Sequence, residues 1–187
     1  MALNLVDLGV SNVKSEMSKA CLLRSEWSLW YFEKECDKSW EQCFHEVAAC
    51  KSIEEFWILF NSIKLPTEIS EGCNYALFRS TIRPMWEDEH NQNGGRWVIT
   101  LEKRVESDEV SRLWFDTLLL LIEEKLSCTS SICGVIFHNR WKFTKIAIWV
   151  STSVAHEFVR REIRSKLRLA DSVPCIFEKH GCQPNAN

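Results

Sequence analysis

The sequence predicts an α+β fold, an antiparallel sheet with helices packed on one of its faces. Short alternating apolar and polar runs come in hairpin-like groups. Three helical segments separate these groups without the strand–helix alternation of a parallel sheet. The length of 187 residues, 45% hydrophobic and 26% charged, suits one domain with its own core.

The elements follow in chain order. Residues 1–22 are polar and weakly patterned and are expected to be a flexible N-terminal tail. The aromatic-rich run WSLWYF, 27–32, predicts a strand, and a polar loop then leads to Trp40. Ser52-Ile53-Glu54-Glu55 fits a capping box and opens a helix through Ile63, which Pro66 terminates. Residues 75–79 form a short strand, and Gly94-Gly95 supplies a turn. RWVITL, 96–101, puts Trp97, Ile99 and Leu101 on one face and Arg96, Val98 and Thr100 on the other.

A second helix runs from a cap at Ser107 or Asp108 to about Lys125. Strands at 132–138 and 143–150 are joined by a turn near HNRW. A third helix, about 154–168, has a basic outer face, and VPCIF, 173–177, is a last strand. One domain is expected over 23–180, with a flexible C-terminal end over 181–187 and fraying expected from His180. An antiparallel sheet covered by helices on one side leaves the other side able to bind a ligand.

The net charge of −3 and pI near 6.0 argue against a protein that coats a long duplex. They leave room for a small basic pocket. Nine cysteines are present without a C-x-x-C pair or zinc-finger spacing, so no metal is expected. The heptad spacing of Cys36, Cys43 and Cys50 reads as ordinary thiols. The first residues lack the long apolar run of a secretory signal, and Leu118–Ile122 is too short to span a membrane. A reduced, intracellular protein is expected.

Two helices carry surplus apolar surface. In the first, Phe56, Phe60 and Ile63 form one stripe and Ile53 and Trp57 a second. The next reads LWFDTLLLLI over 113–122, apolar nearly all round. One side of this surface either meets a partner or is covered by loops or the tail.

The polar residues suggest a ligand. Trp86 lies beside Glu87, Asp88 and Glu89 in PMWEDE. An aromatic face attracts flat, cationic rings. A carboxylate accepts two parallel hydrogen bonds, and guanine offers a donor–donor edge through N1–H and N2–H. Trp40, at the end of DKSW, is the best second plate for a stacked base. Arg140, Lys142 and Lys145 in RWKFTK supply cations for phosphates. Lys145 and Trp149 share a strand face that excludes Ile146 and Ile148. Asp88 and Glu89 read as solvated surface.

These residues resemble the translation initiation factor 4E family, the mRNA cap-binding proteins. WSLWYF, DKSW, EEFWILFN, PMWEDE, GGRWVITL and KIAIW match in order and spacing, from about Trp27 to Phe177, and Trp141 stands as an addition. The resemblance implies a curved antiparallel sheet with three helices on its convex face. It implies that Trp40 and Trp86 sandwich the 7-methylguanosine base, that Glu87 reads its edge, and that Trp149 lies near the methyl group. Arg140, Lys142 and Lys145 would hold the triphosphate, with Arg96 assisting through water.

The resemblance also implies partners. Ile53, Trp57, Phe115, Asp116 and Leu119 match the surface that takes a Tyr-x-x-x-x-Leu-apolar helix of the initiation factor 4G scaffold or of 4E-binding repressors. A monomer without cofactor or enzymatic activity is expected, in the cytoplasm, with the nucleus as a further compartment. Departures from the family pattern stand at Cys21-Leu22-Leu23, Glu123, His138 and Trp141. The expected function is cap-dependent recruitment of a scaffold, and the alternative is a cap-binding repressor isoform. A capless single-strand binder fits the acidic balance less well. No phosphate-cradling loop, Ser/His/Asp set or metal motif supports a nucleotide enzyme.

Overall fold

The computed structural model describes residues 20–33, 39, 41–152 and 157–181. Trp40, residues 1–19 of the expected tail and residues 182–187 lie outside the described residues. The strands are β1 (Leu22–Phe32), β2 (Phe44–Ser52), β3 (Asn74–Arg79), β4 (Gly95–Glu102), β5 (Ile132–Asn139), β6 (Phe143–Val150) and β7 (Cys175–Lys179). The helices are α1 (Ile53–Ser62), α2 (Ser107–Ile122) and α3 (Glu157–Lys166). The strands make one curved sheet in the order β2-β1-β3-β5-β6-β4-β7, antiparallel at every pairing.

Period-two alternation divides the sheet. On one face Leu29, Leu77, Trp97, Ile99, Phe137, Ile146 and Ile148 are buried with Phe56 of α1, Leu113, Trp114 and Leu118 of α2 and Ile163 of α3. On the opposite face Phe32, Ala76, Phe78, Val98, Ile136, Ala147 and Trp149 form a smaller apolar floor, joined by Ile82 and Met85 from the loop after β3. None of α1, α2 and α3 contributes a buried residue to this floor.

The expected capping box forms with its return bond displaced by one residue, to Lys51. Ser52 Oγ accepts from Glu55 N–H at 3.2 Å, and Glu55 Oε2 accepts in return from Lys51 N–H at 2.8 Å. Glu54 accepts from Cys21 N–H at 3.2 Å, and Cys21 O accepts from Ile53 N–H at 2.9 Å. The chain entering β1 is thereby tied to the start of α1.

Several expected boundaries are corrected. β1 extends back to Leu22. β2 is not predicted by the sequence pattern, because FHEVAACKS does not alternate cleanly and lies on the edge of the sheet. Neither Ser107 nor Asp108 caps α2. Glu106 occupies the cap with extended ψ of 140° and no side-chain bond, while Asp108 and Glu109 sit in the first turn, where they complement the helix dipole. His180 is not frayed, since its N–H donates to Gly94 O at 3.1 Å.

Gly134 shapes the uncovered face. It pairs with Phe78 on one side and Trp149 on the other. Its missing side chain lets these two rings meet edge to face at 5.6 Å. A Cβ at Gly134 would lie 2.4 Å from the Phe78 ring and 2.5 Å from Leu77 O. Gly134→Ala is therefore expected to destabilise the fold by about 1–3 kcal/mol. Urea unfolding checks this, and an unchanged midpoint would mean that the sheet accommodates the methyl group.

Candidate functional site

The uncovered face is bounded on one side by the loop 80–94, which carries Trp86. Trp86 is 54% exposed, whereas Met85 beside it is buried in the floor. Glu87 is also exposed. The loop is ordered by side-chain bonds to its own backbone. Asn91 is buried and donates from Nδ2 to Arg83 O at 2.9 Å and to Met85 O at 2.7 Å. Asp88 Oδ2 accepts from Arg83 N–H at 3.0 Å, and its Oδ1 accepts from His90 N–H at 2.9 Å. Gln92 Nε2 donates to the carbonyl of Glu87 at 2.8 Å.

Asp88 is thus a loop staple, which corrects its reading as solvated surface. Burial raises its carboxyl, but the N–H groups of Arg83 and His90 and the His90 ring outweigh this and hold it below the usual range. Arg83 also pairs with Glu41, the residue that follows Trp40 in sequence. The ion pair brings the segment just after Trp40 against the loop of Trp86. Trp40 itself lies outside the described residues.

Behind the loop stands Trp149, buried in β6. Its ring packs on Phe78 and on His180, the latter at a centroid distance of 4.2 Å. His180 Nδ1 lies 2.8 Å from Asn91 O, so it must carry the proton and donate. A continuous path therefore runs from the Trp86 loop through Asn91 and His180 to Trp149.

The cations line the same face. Arg96 faces Trp149 across the β4–β6 pairing and is ion-paired with Glu178 of β7, Nη2 to Oε2 at 2.7 Å. Lys145 pairs in register with His138 and Thr100, and its Nζ lies 5.0 Å from the Phe143 ring centroid. Arg140 donates to Asn74 Oδ1 at 2.8 Å and Asn139 O at 3.0 Å. Lys142 is exposed at the tip of the β5–β6 hairpin. Among the described residues, it and Lys145 make no ion pair. The structure thus places Trp149, Arg96, Arg140 and Lys145 on one face, with Trp86 and Glu87 on the loop after β3 and Lys142 on the tip of the β5–β6 hairpin. Asn74, Glu178, Asn91 and His180 were missed from sequence. Strand register reveals Asn74 and Glu178, the latter opposite Arg96, and long-range loop contacts reveal Asn91 and His180.

Residues 22–186 match the model of the family described as Eukaryotic initiation factor 4E. The chain belongs to that family. It is 41% identical over 161 residues to the Drosophila melanogaster eukaryotic translation initiation factor 4E1, covering 84% of this chain and 62% of that protein. The chain therefore spans under two thirds of that relative's length. The Ascaris suum eIF4E-3 complex with an m7G cap matches with a TM-score of 0.83 and 31% identity, over 89% of this chain and 94% of that one. A schistosome eIF4E complexed with m7GpppG and 4E-BP matches with a TM-score of 0.81 and 30% identity, over 91% and 96%. These relatives are named as initiation factors and not as enzymes.

The second expected surface lies on the helical side. Trp57 is 42% exposed, and its ring lies 5.4 Å from that of Phe115. Phe60 and Phe115 are 4.9 Å apart, which joins α1 to α2. Ile53 is exposed, while Phe115, Asp116 and Leu119 are half-buried. Asp116 pairs with Arg112, which also holds Glu109 at 2.6 Å. Glu123 ends α2 and pairs with Lys125 at 2.7 Å. No helix among the described residues is long and apolar enough to cross a membrane. No group of described His, Cys, Asp or Glu residues could hold a metal ion.

His138 sits between Asn74 and Arg140, its Nδ1 3.2 Å from Asn74 Oδ1 and 3.4 Å from an Arg140 guanidinium nitrogen. Burial, then Arg140, Arg96 and Lys145, push its pKa down from 6.5 to about 3. Between these values the unfolded chain binds the proton and the folded chain does not. Stability therefore falls as pH drops from about 6.5 toward 3. His138→Asn is expected to flatten this part of the pH–stability curve, as read by urea midpoints across that range. An unchanged slope would assign the acid sensitivity to other groups.

Proposed function

We propose that this chain binds the 7-methylguanosine cap of mRNA and recruits an initiation scaffold to start cap-dependent translation. The observation that carries the reading is the exposed Trp86–Glu87 pair, at the rim of a sheet face whose floor and far side supply Trp149 and the cations. In this reading Trp86 and Trp40 sandwich the base. Methylation at N7 gives the ring a positive charge, and a cation over an indole gains about 2 kcal/mol or more when desolvated. The same charge sharpens N1–H and N2–H as donors to the Glu87 carboxylate. Trp149 borders the methyl group. Arg140, Lys142 and Lys145 hold the triphosphate, and Arg96 contributes through water.

The assignment is to binding alone, with no bond broken. The Ascaris and schistosome proteins, solved with cap analogues, support it by family likeness. On the helical side, Ile53, Trp57, Phe115, Asp116 and Leu119 take a Tyr-x-x-x-x-Leu-apolar helix of a 4G-type scaffold or a repressor. The schistosome complex with 4E-BP supports a protein partner of this class. The protein acts as a monomer in the cytoplasm, where translation starts.

Retention on a 7-methylguanosine triphosphate resin, with unmethylated GTP as competitor, tests the cap site. Trp86→Ala is expected to weaken binding by about 1–3 kcal/mol. Glu87→Gln is expected to lose the preference for guanine. Equal binding of methylated and plain guanine by the wild type would reject the reading.

The back surface has its own test. Trp57→Ala is expected to spare the resin while weakening a Tyr-x-x-x-x-Leu peptide by about 2 kcal/mol. Loss of both activities would make Trp57 a core residue rather than an interface.

A further inference from the structure

We propose that Trp141 is the stacking platform for the base of the first nucleotide beyond the cap triphosphate. This rests on the cap reading above and extends it along the RNA chain. β5 and β6 are paired out to Asn139 and Thr144, and Arg140 N–H donates to Phe143 O at 3.2 Å. That bond closes the hairpin and leaves Trp141 and Lys142 at its tip.

Trp141 is 75% exposed, more than any other large apolar side chain among the described residues. A hairpin tip calls for Asn, Asp or Gly on backbone grounds. Neither the turn nor either apolar cluster uses the indole. Its exposure is therefore unexplained by folding, while its neighbours point to a ligand.

Those neighbours are cations. Arg140 and Lys142 flank Trp141 directly, and Lys145 follows on the uncovered sheet face. An exposed flat ring set among cations matches a stacked base with its phosphates at the side. A protein segment would also find the ring apolar, but it would leave these charges unmatched. The hairpin is the part of the site that carries Arg140, Lys142 and Lys145, the groups assigned to the triphosphate. The nucleotide joined to the far end of that triphosphate is thus the next group to arrive. Stacking on an indole accepts any of the bases, since every base has a π-face.

The test is calorimetric titration of wild type, Trp141→Ala and Trp141→Phe with m7GTP and with the capped dinucleotide m7GpppA. Trp141→Ala is expected to weaken m7GpppA about five-fold or more. Its m7GTP affinity is expected to stay within about two-fold of wild type, because the platform lies past the phosphates. Trp141→Phe is expected to keep most of the dinucleotide affinity. Equal losses for both ligands, or no loss for either, would overturn this inference while leaving the cap reading standing. Wild type that fails to bind m7GTP would overturn the cap reading, and this one with it.

Discussion

One-sided coverage of the sheet is the constraint on which the rest of the molecule depends. A strand exposes alternate side chains on opposite faces, so the residues that seal the core also dictate what the other face presents. In β6, Ile146, Ile148 and Val150 must point into the helices. Lys145, Ala147 and Trp149 are then obliged to point away. In β4 the same rule sends Trp97 inward and Arg96 outward. A slip of one residue in either strand would bury a cation and expose a tryptophan or an isoleucine. The pressure that stabilises the core is therefore the same pressure that sets the register of the site.

The loop that carries Trp86 shows how an exposed plate is kept in place. Trp86 gains little from burial, so its neighbours must supply the order. Met85 anchors in the floor, Asn91 satisfies two loop carbonyls, and Asp88 draws Arg83 and His90 together. His180 then ties the loop to Trp149 and to the end of β7. The acidic run thus contains two kinds of carboxylate. Asp88 is consumed by the scaffold, and Glu87 is left exposed.

Much of this was legible in the sequence, for identifiable reasons. The capping box at Ser52 and the alternation of β4 and β6 are local signals, and they place α1, Arg96, Lys145 and Trp149 directly. β2 was illegible because FHEVAACKS lies on an edge, where one neighbouring strand and partial burial demand no strict alternation. The partners of the site were illegible for a different reason. Glu178 meets Arg96, and Asn74 meets Arg140, only through pairings between distant strands, which no local pattern encodes. His180 was read as a frayed end because nothing near it in sequence reports that Trp149 and Asn91 stand beside it.

The cations of the uncovered face fall into two kinds, and the difference bears on how the face works. Arg96 and Arg140 already have partners, Glu178 and Asn74, that orient their guanidinium groups. An oriented guanidinium pays less entropy when it meets a phosphate, but its existing partner competes for the same donors. Lys142 and Lys145 pay more entropy and have no carboxylate to give up among the described residues. A neutral His138 in the middle keeps a further positive charge from being added to the cluster at neutral pH. The arrangement joins two pre-aimed planar donors to two ammonium groups with no carboxylate partner among the described residues. Under the proposed cap reading, this arrangement suits a row of successive phosphates better than a single compact anion.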